Sequence, residues 1–195
     1  MRKVGSTGAV VMGSSAGGMN ALRKILRLLP ADFALPILIV QHFPSDTPML
    51  LPALLRSDCL LPVKEATDKS PIEAGHVYLA PPGYHLLVEE DHTLALSEDE
   101  LVNWSRPSID VLFESASLAF RTELIGIVLT GANHDGAHGL RMIKERGGLA
   151  LVQDPDTAEA RTMPQAAIDA TPVDHVATLE TIGMLLARQK GSTDA

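Results

Sequence analysis

Three short polar segments carry side chains of complementary type. Gly13-Ser14-Ser15-Ala16-Gly17-Gly18 offers a serine, Gln41-His42-Phe43-Pro44 an imidazole, and Thr130-Gly131-Ala132-Asn133-His134-Asp135-Gly136 a carboxylate. A serine hydroxyl is a weak nucleophile until a neighbouring base takes its proton. An imidazole can be that base near neutral pH and can then protonate a leaving group. A carboxylate behind it fixes the tautomer and stabilises the imidazolium. Ser15, His42 and Asp135 are therefore candidates for the nucleophile, base and orienting acid of a hydrolase. The glycines around Ser15 let backbone amides approach a substrate. A serine opening a helix also sits among N–H groups without intrahelical partners, which can hold an oxyanion.

Each residue has a plainer reading when taken alone. Ser15 could cap a helix or belong to a phosphate cradle. His42 could be packed at a strand end, and Asp135, followed by Gly136, could be the N-cap of its own helix. The coincidence of all three at strand ends favours chemistry. Gly13-Ser14-Ser15-Ala16-Gly17 fits G-x-S-x-G, yet the order Ser, His, Asp differs from the Ser, acid, His order of α/β-hydrolases. Three other classes compete. An anion-binding module would use residues 13–18, but these lack G-x-G-x-x-G spacing and no P-loop lysine follows. A metallohydrolase would use His134 and His138 with Asp135, without a matched third ligand. A catalytically idle interaction domain is the third. Tyr84, His85 and Trp104 are open to two readings, a substrate groove or plain packing. Cys59, in Cys59-Leu60-Leu61, reads as a packing residue, and the lone cysteine excludes an internal disulfide.

The elements that must position these residues follow from apolar spacing. Ala9-Val10-Val11-Met12 and Pro36-Ile37-Leu38-Ile39-Val40 read as buried strands, and Met19, Leu22, Ile25, Leu26 and Leu29 as a helix closed by Pro30. A helix is expected over residues 49–56 and a strand at 77–80. Residues 85–88 and 93–96, flanking Glu89-Glu90-Asp91-His92, predict an antiparallel hairpin. Ile109, Leu112, Phe113 and Ala116 mark a helix face. Strands at 125–129 and 149–152 and helices at 135–146, near 165–169, and at 179–190 complete the chain. Repeated strand–helix units predict an α/β fold: a doubly wound, mostly parallel sheet with helices on both faces and an antiparallel hairpin insertion. One domain is expected over residues 8–190, with loose ends at 1–7 and 191–195.

Composition bounds the partners. The 195 residues are 46% hydrophobic, enough for one sizeable core. Sixteen basic against twenty-four acidic residues give 16 − 24 = −8, which argues against nucleic acid as the main partner. No apolar run approaches the roughly 20 residues that span a bilayer. Gly5, Ser6, Thr7 and Gly8 interrupt the only early apolar stretch, a poor signal-peptide core. A cytoplasmic protein, not embedded in a membrane, is expected.

Taken together, the three active segments resemble those of the chemotaxis receptor methylesterase (CheB-type) family. Val77-Tyr78-Leu79-Ala80-Pro81-Pro82-Gly83, Arg106-Pro107-Ser108-Ile109-Asp110-Val111-Leu112-Phe113, and Gln153-Asp154-Pro155 with Met163-Pro164-Gln165-Ala166-Ala167 resemble it too. The resemblance covers about residues 8–188, and it implies that no metal and no organic cofactor is needed. It implies hydrolysis of glutamate γ-methyl esters on chemotaxis-type receptor helices, allows deamidation of glutamines there, and gives Ser15, His42 and Asp135 the roles of nucleophile, base and orienting acid. Three positions depart from the family pattern: Ala16 where threonine is common, Ala132 where methionine is common, and His134 in place of a small or polar residue. Family members commonly carry an N-terminal receiver domain, and only about seven residues precede the first strand here. The expectation is a constitutively open site, with a separate receiver protein acting in trans as a candidate partner.

Overall fold

The computed structural model describes residues 8–43 and 51–189. The loose ends expected at 1–7 and 191–195, Pro44, the start of the helix expected over 49–56 and the last residue of the helix expected over 179–190 lie outside the described residues. In chain order the first half runs β1 (Ala9–Ser14), α1 (Gly18–Leu26), β2 (Ile37–Gln41), α2 (Leu51–Arg56), β3 (Val63–Glu65), β4 (Val77–Leu79), β5 (His85–Val88) and β6 (Leu94–Ser97). The second half runs α3 (Ile109–Phe120), β7 (Leu124–Val128), α4 (Ala137–Glu145), β8 (Leu149–Gln153), α5 (Thr162–Ala170), β9 (His175–Ala177) and α6 (Leu179–Ala187).

Seven strands form one sheet in the order β3-β4-β2-β1-β7-β8-β9, and every pairing in it is parallel. The doubly wound α/β fold holds, with β5 and β6 as the separate antiparallel hairpin. Strand alternation divides the core in two. Val10 and Met12 of β1 join Ile37 and Ile39 of β2 against α1, α2 and α6. Ala9 and Val11, with Leu38 and Val40, face the other way, against α3, α4, α5 and the hairpin. A side chain that alternates between two buried faces leaves no polar position, which is why these strands are continuous apolar runs.

Two strands escape the sequence pattern. β3 and β9 have three residues each, lie at the two sheet edges, and bury one side chain and none respectively. An edge strand that short has no apolar run to recognise. Helix starts differ also. The helix expected from Asp135 begins at Ala137, because Gly136 adopts a left-handed φ of 91°. The helix expected near 165 begins at Thr162, since Pro164 is accommodated in a first turn where its missing N–H has no role. Cys59 is half-buried against the first core cluster. No helix among the described residues is long and apolar enough to cross a membrane.

Candidate active site

The strand order reverses around β1: β2 and β4 lie to one side, β7 and β8 to the other. In open parallel sheets such a switch point leaves a crevice beyond the strand carboxyl ends. Ser15 follows β1, His42 follows β2, and Asp135 lies in the loop after β7, so the three come from adjacent central strands.

Main-chain bonds set the serine turn. Ser15 N–H donates to Thr130 O (2.9 Å), and Ser15 O accepts from Gly18 N–H (2.9 Å) and from Gln41 Nε2 (2.9 Å). Gly17, the N-cap of α1, has φ 75°, a left-handed value that lets the chain turn from strand to helix within three residues. Among the described residues the Ala16 and Gly17 amides have no acceptor. Ser14, next to the candidate nucleophile, is fully buried and donates to Gln41 Oε1 (2.6 Å). Gln41 Nε2 also reaches His42 O (2.7 Å), so one amide ties the ends of β1 and β2 together.

His42 stands between two polar partners. Its Nε2 lies 2.9 Å from Asp135 Oδ2, with 10% of the imidazole side chain exposed and none of the carboxylate. Its Nδ1 faces Asn133 Nδ2 at 3.3 Å. A carboxylate only accepts, so the neutral ring carries its proton on Nε2, and its Nδ1 lone pair accepts from the Asn133 amide beside a cavity that both residues line. That cavity, of about 600 Å³, is lined by Ser15, Ala16, Gly17, His42, Asn133 and Glu159 among others. Among the described residues no hydrogen bond joins Ser15 Oγ to His42; the two share the cavity.

Asp135 is not the cap of its own helix; its carboxylate caps a different one. Oδ2 accepts from Ile109 N–H (2.6 Å), while Oδ1 accepts from Ser108 Oγ (2.9 Å), Asp110 N–H (3.1 Å), Gly136 N–H (3.1 Å) and Asn103 Nδ2 (2.8 Å). It thus occupies the N-terminus of α3, where unpaired N–H groups and the helix dipole favour an anion. Asp110 returns the arrangement: its Oδ1 accepts from Gly139 N–H (2.6 Å) in the first turn of α4, and its Oδ2 accepts from Asn103 Nδ2 (2.7 Å). The helices approach this closely because residue 139 is glycine; a Cβ there would meet Phe113 Cβ at 2.5 Å.

The two carboxylates respond in opposite directions. Burial raises the Asp135 carboxyl, but hydrogen bonds from His42, Asn103 and the Ile109 amide outweigh it and hold it below the usual carboxylate range. Burial, reinforced by the Asp135 charge, pushes Asp110 up despite the bonds from Gly139 N–H and Asn103.

The remaining candidates are distributed around this centre. His85 does not line a groove: it is buried, with Nε2 against Glu100 O (2.9 Å) and Nδ1 accepting from Ser108 N–H (3.2 Å). Trp104 lines a second cavity, of about 550 Å³, together with Gln41, His42 and Phe43. Tyr84 is exposed but is not part of either lining. His134 and His138 are exposed while Asp135 is buried, and no three His, Cys, Asp or Glu side chains among the described residues are grouped to hold a metal ion. The Glu159 side chain lies against the Cα of Gly17, on which a Cβ would meet it at 2.7 Å. Ala16, Ala132 and His134, the departures from the family pattern, are all exposed at the rim.

Sequence reasoning missed Asn103, Asp110 and Asn133 as members of this network, and gave Ser108 no role. Ser108-Ile109-Asp110 ahead of an apolar helix face was a legible capping signal. Asn103, before Trp104, carried none.

The chain is similar to known proteins over most of its length. Residues 10–186 match the profile of a family described as CheB methylesterase. A protein of Leptospira interrogans, provisionally named protein-glutamate methylesterase/protein-glutamine glutaminase, is 54% identical over 180 residues, covering 92% of this chain and 93% of its own. A protein of Clostridium acetobutylicum with the same name is 36% identical over 174 residues, 89% of this chain; the chain spans only 50% of that relative. The crystal structure of the Thermotoga maritima CheB methylesterase catalytic domain superposes with a TM-score of 0.88 at 32% identity, over 93% of this chain and 97% of that one. This chain belongs to the CheB methylesterase family of ester hydrolases.

Proposed function

We propose that the chain hydrolyses glutamate γ-methyl esters on the helices of chemotaxis-type receptors in the cytoplasm, and that glutamine side chains are deamidated at the same site. Ser15 Oγ displaces the Asn133 amide from His42 Nδ1 and attacks the γ-carbonyl carbon while that nitrogen takes its proton, forming a tetrahedral oxyanion. The Ala16 and Gly17 amides at the start of α1 are the donors available to that oxygen. His42 returns the proton to the departing methoxy oxygen, methanol leaves, and an acyl-enzyme remains. Water, deprotonated by His42, attacks the acyl carbon; Ser15 regains its proton and the free carboxylate is released. With glutamine, ammonia leaves in place of methanol. Asp135 touches no reacting atom: it holds the His42 proton on Nε2 and stabilises the imidazolium.

The observation that carries this reading is the 2.9 Å His42–Asp135 pair, facing the cavity that Ser15 lines. Methanol release from a synthetic helical peptide carrying one glutamate γ-methyl ester tests it. Purified protein should release stoichiometric methanol, and Ser15→Ala should lower the rate on the order of 10⁶-fold, as for other serine nucleophiles. Methanol release by Ser15→Ala at the unaltered rate would remove Ser15 from the mechanism.

A further inference from the structure

Trp104 is the only tryptophan of the chain, and it is 92% exposed. A single exposed apolar residue needs no explanation, but the backbone beneath this one does. Asn103 has φ 51° and Trp104 φ 61°, both left-handed. Val102 N–H donates to Ser105 O (3.2 Å) and Ser105 N–H to Val102 O (3.0 Å), closing a two-residue turn whose hand requires positive φ at both central positions. Asparagine suits the first position; the second is one where glycine is favoured and a bulky side chain is strained. The turn is anchored by the Asn103 amide, which bridges Asp110 and Asp135. The backbone that presents the indole is thereby tied to the carboxylate paired with His42.

The wall beside it is continuous with the reacting groups. The 550 Å³ cavity runs from His42 and Phe43 to Leu101, Trp104 and Arg106. That volume suits a ligand well beyond one esterified side chain. Leu101 and Val102 are exposed beside the indole. Arg106 Nη1 is held by the carbonyls of Glu98 (2.5 Å) and Asp99 (2.8 Å), which fixes the guanidinium that closes this wall.

We propose that Trp104 is the specificity-determining residue for the polypeptide around the scissile side chain. One apolar side chain of that segment packs on the indole while the ester, from the same segment, reaches toward His42 and Ser15. The proposal rests on the esterase reading, and its test separates the two. Trp104→Gly removes the indole and relieves the left-handed strain, so its melting temperature should not fall below that of the unaltered protein. Its kcat/KM for the methyl-ester peptide should fall at least tenfold more than for p-nitrophenyl acetate, with the loss in KM, and Trp104→Phe should recover part of it. In Ser15→Ala protein, tryptophan fluorescence reports this one residue, and saturating methyl-ester peptide should shift its emission to the blue. A shift without hydrolysis by unaltered protein would retain the recognition role and reject the esterase. Equal losses on both substrates, or an unmoved emission maximum at peptide concentrations that saturate hydrolysis, would overturn the role of Trp104.

Discussion

Ser15, which shares a cavity with His42, and Asp135, which is hydrogen-bonded to it, are held in opposite ways. Asp135 is fully buried, and six donors from described residues converge on its two oxygens: His42, Asn103, Ser108, and the amides of Ile109, Asp110 and Gly136. Ser15 is half-buried, and the bonds that hold it run through its main chain. The difference suits the two tasks that the proposed mechanism assigns. A group that stabilises charge without moving gains from a dry, fixed dipole environment, because no reorganisation is needed as charge develops. A group that must bond to an incoming carbon needs access and a free hydroxyl rotor.

That contrast can be broken at the buried end first. Asp135→Asn swaps one acceptor oxygen for a donor facing Ile109 N–H or His42, and favours the wrong imidazole tautomer. Activity should fall on the order of 10⁴-fold, and urea unfolding should register a loss of about 3–5 kcal/mol, as when one partner of a buried charged pair is removed. Loss of activity with unchanged stability would mean that the donors around Asp135 do not depend on its charge.

Next comes the amide that joins the two carboxylates. Asn103→Ala removes a donor to both Asp110 and Asp135 and should cost about 2–3 kcal/mol. It should also lower kcat about 10-fold through a displaced His42, since small misplacements far from the chemistry are costly. A change confined to stability would make Asn103 a purely structural clamp.

The opposed carboxyl shifts predict opposed pH behaviour. Asp135 titrates below its unfolded value, so its stabilisation is present above the ordinary carboxylate value of about 3.9 and is lost as pH falls through the lowered one. Asp110 titrates above, so its contribution is present below that ordinary value and is lost as pH rises through the raised one. Urea titrations across pH 3–8 should show the Asp135→Asn deficit shrinking at the acid end and the Asp110→Asn deficit shrinking toward neutrality. Parallel trends in the two variants would contradict this assignment of the shifts.

The smallest effect belongs to the serine end. Ser14→Ala strands Gln41 Oε1 in the core and should cost about 1–2 kcal/mol, with activity within a few-fold of the unaltered protein. An activity loss matching that of Ser15→Ala would shift the nucleophile by one residue.

Much of this molecule was written in local pattern. The apolar runs of β1, β2, β7 and β8 and the helical spacings of α1 and α3 are short-range signals, and the parallel sheet follows from their alternation. Ser15, His42 and Asp135 were legible because each ends or follows such a run, and the sheet brings neighbouring strand ends together. The edge strands β3 and β9 were not legible, having too few apolar residues to carry a period.

What only the tertiary structure decided is which groups surround the acid. Asp135 looked like a cap for the helix that follows it, and a local reading could not prefer α3, whose N-terminus is more than twenty residues upstream. The reciprocal capping of α3 by Asp135 and of α4 by Asp110, the bridging Asn103 amide and the left-handed turn presenting Trp104 depend on two helices meeting across Gly139. Hydrogen bonds between side chains and distant backbone leave no period in a sequence, because either partner alone is an ordinary polar residue until packing brings the other to it.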